Sequence, residues 1–87
     1  MSPPPITMYV TDWCPYCRRA KDLLTSKSVV LNEINIDEEP QLREEMMARS
    51  KRRTVPQIFI GDKHVGGCDD LFALEASGEL DRLLQGA

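Results

Sequence analysis

The 87 residues suffice for one small domain, 1–87, with 1–5 as a short extended lead-in. A content of 41% hydrophobic and 29% charged residues is that of an ordinary globular chain and argues against disorder except at the ends. A formal net charge of -3, and no apolar run near the roughly 18 residues of a membrane span, argue against nucleic-acid and membrane partners.

The opening "MSPPP" has neither the basic residues nor the apolar segment of a secretory signal, which points to a reducing, cytoplasmic compartment. "ITMYV" alternates, with Ile6, Met8 and Val10 on one side, and predicts a strand. After Cys14 the apolar spacing turns helical through Ala20, Leu23 and Leu24, with Pro15 suited to the first helical position. "VVLNEINI" is rich in β-branched residues and predicts a second strand, parallel to the first.

Asp37 is expected to cap the next helix, with Glu38 and Glu39 at its positive end and Pro40 in its first turn. That helix should end near Arg49. "PQIFI" predicts a third strand, Gly61-Asp62 a two-residue hairpin turn, and "KHVGG" the antiparallel return. A helical stripe follows from Cys68 or Asp69 through Leu74, is interrupted at Gly78, and resumes in "ELDRLLQ". The expected fold is α/β: one four-stranded mixed sheet flanked by helices.

The chemistry gathers at "TDWCPYCRRAK", where the first strand meets the first helix. At the N-cap, Cys14 points its sulfur at the free N–H groups of the first turn, which favour thiolate over thiol. Arg18 and Arg19 add positive charge. Ordinary cysteine titrates near about 8.5, and C-x-x-C sites of this kind fall to roughly 3.5–7.5. Cys14 is therefore the expected nucleophile, and Cys17, one turn in, the residue that closes a disulfide with it. Two plain core cysteines at helical spacing are the bland alternative. Three cysteines fit a disulfide framework poorly. Cys14, Cys17, His64 and Cys68 could formally make a zinc set, but no second tight ligand pair is present, and no metal is expected. His64 is given no role and is expected at the surface.

"WCPYCRRAK" at 13–21, "REEMMARS" at 43–50, "TVPQIFI" at 54–60 and "GGCDDL" at 66–71, in that order and at these separations, resemble a glutaredoxin of the small dithiol class. The small bacterial glutaredoxins look closest. The resemblance covers about 6–84 and implies a thioredoxin-like fold, with Pro56 in the cis form. It also implies that the "TVP" and "GGCDD" loops lie beside the cysteine pair, and that glutathione is the co-substrate.

Each charge of glutathione then needs a partner. Arg52 and Arg53, with Thr54, suit its glycyl carboxylate. The Val55 backbone before Pro56 suits its cysteinyl backbone, as a short strand addition. Gly67 allows close approach, the N–H groups of Cys68 and Asp69 suit the γ-glutamyl carboxylate, and Asp69 or Asp70 suits the ammonium. Tyr16 packs beside the tripeptide. The bland readings are a solvated basic run at 51–53 and aspartates that only cap a helix. Cys68 is read as a small loop residue rather than a third catalytic thiol. Thr11 departs from the pattern, since many relatives carry lysine three positions before the first cysteine.

The expected activity is glutathione-dependent thiol–disulfide exchange. The substrates are glutathionylated or disulfide-bonded proteins, with ribonucleotide reductase a suggestion at family level only. The chain should act as a monomer. Two other readings compete: a thioredoxin-like reductase fed by a flavoprotein, and a glutathione-ligated [2Fe–2S] protein, which Pro15 should discourage by stiffening the loop.

Overall fold

The structure is a computed structural model and describes residues 4–85. In chain order it contains β1 (Ile6–Val10), α1 (Pro15–Thr25), β2 (Leu31–Asn35), α2 (Pro40–Ser50), β3 (Gln57–Ile60), β4 (Lys63–Gly66), α3 (Cys68–Ser77) and α4 (Glu79–Leu84). The sheet order is β2-β1-β3-β4. β1 pairs parallel with β2 and antiparallel with β3, and β3 pairs antiparallel with β4. This is the expected four-stranded mixed sheet with flanking helices.

The period of two along the strands sorts side chains onto two faces. On one face Ile6, Met8, Val10, Ile58 and Ile60 pack against Ala20 and Leu24 of α1, Leu71 of α3, and Leu80 and Leu84 of α4. On the other face Tyr9 and Phe59 pack against Ile36 and Met46. Complete burial of one such aliphatic side chain contributes about 1.5–3 kcal/mol. The central pair of strands, β1 and β3, carries most of this burial and fixes the frame on which the loops sit.

Three details depart from the sequence expectation. First, β2 begins at Leu31 rather than Val29, because Leu31 already pairs with Ile6, the first residue of β1, and Val30 lies exposed ahead of the ladder. Second, the N-cap of α2 is Glu39, whose side chain makes no capping bond, and not Asp37. The Asp37 carboxylate instead accepts the Asp12 N–H at 3.0 Å, tying the β2–α2 turn to the segment that leads to Cys14. Third, His64 is half-buried rather than superficial and lies against Phe59.

Of the lead-in expected at 1–5, residues 1–3 lie outside the described part. Pro4 and Pro5 belong to no strand or helix, and the Pro5 carbonyl accepts the Gly61 N–H at 2.8 Å. At the opposite end of α1, Lys27 bonds Glu75 and Asp81, each at 2.8 Å, and so fastens that end to α3 and α4.

Candidate redox site and ligand groove

Cys14 is the N-cap of α1, and Pro15 occupies the first helical position. The extended backbone at Cys14 aims its sulfur back at the helix, where it accepts the Cys17 N–H at 3.0 Å. The donor expected to favour a thiolate is thus in contact with the sulfur. Cys14 and Cys17 are joined as a disulfide with Cα atoms 5.1 Å apart. Cys17 is 6% exposed, whereas Cys14 is half-buried, so an incoming thiol meets Cys14 first. The flanking aromatics lie in the open: Trp13 is 87% and Tyr16 57% exposed.

Two loops face this sulfur. The Val55–Pro56 peptide is cis, and the Val55 carbonyl lies 3.9 Å from Cys14 Sγ. The disulfide sulfur carries no proton, so this is a packing contact. The glycine loop then packs on the proline loop: a Cβ on Gly67 would come 3.5 Å from the Pro56 carbonyl. Gly66, at φ +117, takes a conformation that favours glycine and brings Asp70 against it. The Asp70 carboxylate accepts the Gly67 N–H at 2.9 Å and the Arg52 guanidinium at 2.9 Å. The Gly67 N–H, and then Arg52, hold its pKa below the usual carboxylate value.

Between these loops runs a groove of about 390 Å³, within the usual size of small-ligand sites. One wall is Arg52, Thr54, Val55 and Pro56; the other is Gly67, Cys68, Asp69 and Asp70, with Tyr16 at the cysteine end. Of the residues named from sequence for glutathione, Arg53 alone lines neither this groove nor the disulfide contact. It is exposed and has no ion pair among the described residues. Cys68 is buried at the start of α3, and burial pushes its thiol pKa up, which disfavours a third nucleophile. A larger cavity of about 760 Å³ lies on the Trp13 side of Cys14 and includes Thr11 and Arg19.

No group of three or more His, Cys, Asp or Glu side chains is placed to hold a metal among the described residues. Of the formal set of Cys14, Cys17, Cys68 and His64, the first two are bonded to each other, and His64 turns to Gln57 at 2.8 Å.

Sequence reasoning missed the residues beneath the loops. Ser50 is buried at the end of α2; its hydroxyl lies 2.7 Å from the Met46 carbonyl and accepts the Arg52 N–H at 3.1 Å, which fixes the start of the basic stretch. Gln57, 0% exposed, donates to the Thr54 carbonyl at 3.0 Å. Nothing in a polar residue beside "IFI" signals such burial.

The family model for glutaredoxins matches residues 6–65 of this chain. The chain belongs to the glutaredoxin family. It is 57% identical over 81 residues to a glutaredoxin of Pseudomonas aeruginosa, covering 93% of this chain and 96% of that one. It is 56% identical over 80 residues to glutaredoxin 3 of Escherichia coli, covering 92% and 96%. In three dimensions it is similar to a buckwheat glutaredoxin–glutathione complex, with a TM-score of 0.87 and 30% identity over 95% of this chain and 78% of that one. Like its relatives, this glutaredoxin has the thioredoxin-like fold and is a thiol–disulfide oxidoreductase.

Proposed function

We propose that this glutaredoxin works with glutathione as its co-substrate, as a single domain of the cytoplasm. The observation that carries the reading is the groove beside Cys14, which has a guanidinium on one wall and carboxylates at a helix start on the other. Glutathione has two carboxylates and an ammonium at its ends and a thiol between them. Laid along the groove, its glycyl carboxylate meets Arg52 and Thr54, with Arg53 within the same basic stretch. Its cysteinyl backbone pairs with Val55. Its γ-glutamyl carboxylate meets the N–H groups of Cys68 and Asp69 at the start of α3, and its ammonium meets Asp70. That a buckwheat relative forms a complex with glutathione supports glutathione as the ligand.

The chemistry follows from the two sulfurs. With a glutathionylated protein, the Cys14 thiolate attacks the glutathione sulfur; a Cys14–glutathione disulfide forms and the protein leaves as a thiolate that takes up a proton. A second glutathione thiolate attacks the glutathione sulfur of that disulfide, and oxidised glutathione leaves as Cys14 is regenerated. Cys17 is not needed on this route. With a protein disulfide, Cys14 forms the mixed disulfide, Cys17 displaces the protein thiol, and two glutathiones reduce the resulting Cys14–Cys17 bond. Dithiols of this class are poised at roughly -200 to -230 mV, near the glutathione pool, so exchange runs in both directions.

Turnover of a glutathionylated peptide by Cys17→Ser and Cys14→Ser tests the reading. Substantial activity in Cys17→Ser with none in Cys14→Ser is expected. Loss in both would make Cys17 obligatory and favour a thioredoxin-like reductase.

A further inference from the structure

We propose that His64 is a positioning residue, which fixes the Thr54–Pro56 loop through the buried side chain of Gln57. The inference rests on the reading that this loop holds glutathione.

The chain of contacts is continuous. Gln57 Nε2 donates to the Thr54 carbonyl at 3.0 Å and lies 3.2 Å from the Thr54 hydroxyl. Nε2 is thereby committed to Thr54, so the amide orientation is set and Oε1 is left as an acceptor. Oε1 lies 2.8 Å from His64 Nε2. Because a carbonyl oxygen only accepts, Nε2 carries the hydrogen, and the imidazole is the donor that completes the buried amide. Gln57 is wholly buried and heads β3, so its side chain has no water to turn to. His64 is itself held by its ring, which lies 4.9 Å from that of Phe59, tilted by 32°.

The consequence reaches the groove. Thr54 and Val55 form part of its wall, and the Val55 carbonyl touches Cys14 Sγ. Without the His64 donor, the Gln57 amide has a buried oxygen with no partner, and it gains by rotating away from Thr54. The loop backbone that holds the ligand then loses its tether, and binding weakens because the ligand must order the loop.

His64→Phe keeps a ring on Phe59 and deletes the donor; His64→Gln restores a donor. Gln57→Met deletes the bonds to Thr54 while keeping the shape, and serves if His64→Phe fails to fold. Three readouts separate the possibilities: hydrogen exchange of the Gln57 side-chain amide, KM and kcat with a glutathionylated peptide, and alkylation of reduced Cys14 by iodoacetamide. In His64→Phe, exchange of the Gln57 amide should accelerate at least about tenfold, and KM should rise about three- to tenfold, with kcat and alkylation within about twofold. His64→Gln should return both readouts towards wild type, and Gln57→Met should reproduce the KM effect. Unchanged exchange in His64→Phe overturns the link, whether or not the wild type depends on glutathione. Equal KM changes in His64→Gln and His64→Phe overturn it as well. A wild type indifferent to glutathione would instead overturn the functional reading alone.

Discussion

Arg52 and Asp70 bridge the groove beside Cys14: Nη1 of the first lies 2.9 Å from Oδ2 of the second. Both side chains are nearly half exposed, so the pair contributes only about 0–1 kcal/mol. A ligand with a carboxylate at one end and an ammonium near the other can replace each member's partner in turn. Opening the bridge is therefore cheap, and both charges are already in place. The Gly67 N–H keeps Asp70 oriented after Arg52 has turned to a ligand.

This pair makes a prediction about acid. The folded-state pKa of Asp70 is depressed, first by the Gly67 N–H and then by Arg52. Its stabilisation is therefore fully present above the unfolded carboxylate value of about 3.9 and is lost as pH falls through the lower folded value. Urea midpoints of wild type and Asp70→Asn, measured from pH 7 to pH 2, should differ by a constant amount above about pH 5 and converge below about pH 4. A gap that widens as the pH falls would contradict the assignment.

Gly66 and Gly78 separate strain from crowding. Both have positive φ, +117 and +82. A Cβ on Gly66 would overlap the Asp70 carboxylate, whereas one on Gly78 meets nothing within 4 Å. Gly78→Ala should cost about 1 kcal/mol and leave turnover intact. Gly66→Ala should cost about 2–3 kcal/mol and raise KM for a glutathionylated substrate, because Asp70 must move. Equal effects in denaturation and turnover would refute the distinction.

Much of this was legible in the sequence, for reasons visible in particular residues. The limits of β1 and the start of α1 at Pro15 followed from alternation and from the chemistry of a helix start. Asp37 has the residue type of a cap, but its carboxylate is taken by the Asp12 N–H from 25 positions away. In sequence, Arg49 is a charge at a helix end. It also stacks 4.2 Å over the Phe59 ring and donates to the Tyr9 hydroxyl at 2.8 Å, contacts that only the folded sheet creates. Burial of Gln57 likewise depends on a partner seven positions on, and local patterning holds no trace of it. The cis form of Pro56 came from the family resemblance and not from the chain's own pattern.

Tyr9 offers a test of scaffold against site. Its hydroxyl is bonded to Glu45 and Arg49 on the face away from the groove. Tyr9→Phe should lower stability by about 1 kcal/mol with turnover within about twofold of wild type. A large loss of turnover without unfolding would mean that α2 shapes the site more directly than its packing shows.

Thr11, where the family resemblance leads us to expect lysine, lines the larger cavity together with Cys14. Thr11→Lys adds a cation near the sulfur, so iodoacetamide should react with reduced Cys14 at pH 6 about twofold faster or more. An unchanged or slower rate would show that the helix start alone sets the thiolate.

On the proposed reading, glutathione lies between the Thr54–Pro56 and Gly67–Asp70 loops while bonded to Cys14. The most direct measurement is a residue-by-residue map of backbone amide shifts in Cys17→Ser, before and after glutathionylation of Cys14. The largest changes should fall on Arg52, Thr54, Val55, Cys68, Asp69 and Asp70. Changes concentrated on Thr11, Asp12 and Arg19, in the cavity on the Trp13 side, would contradict it.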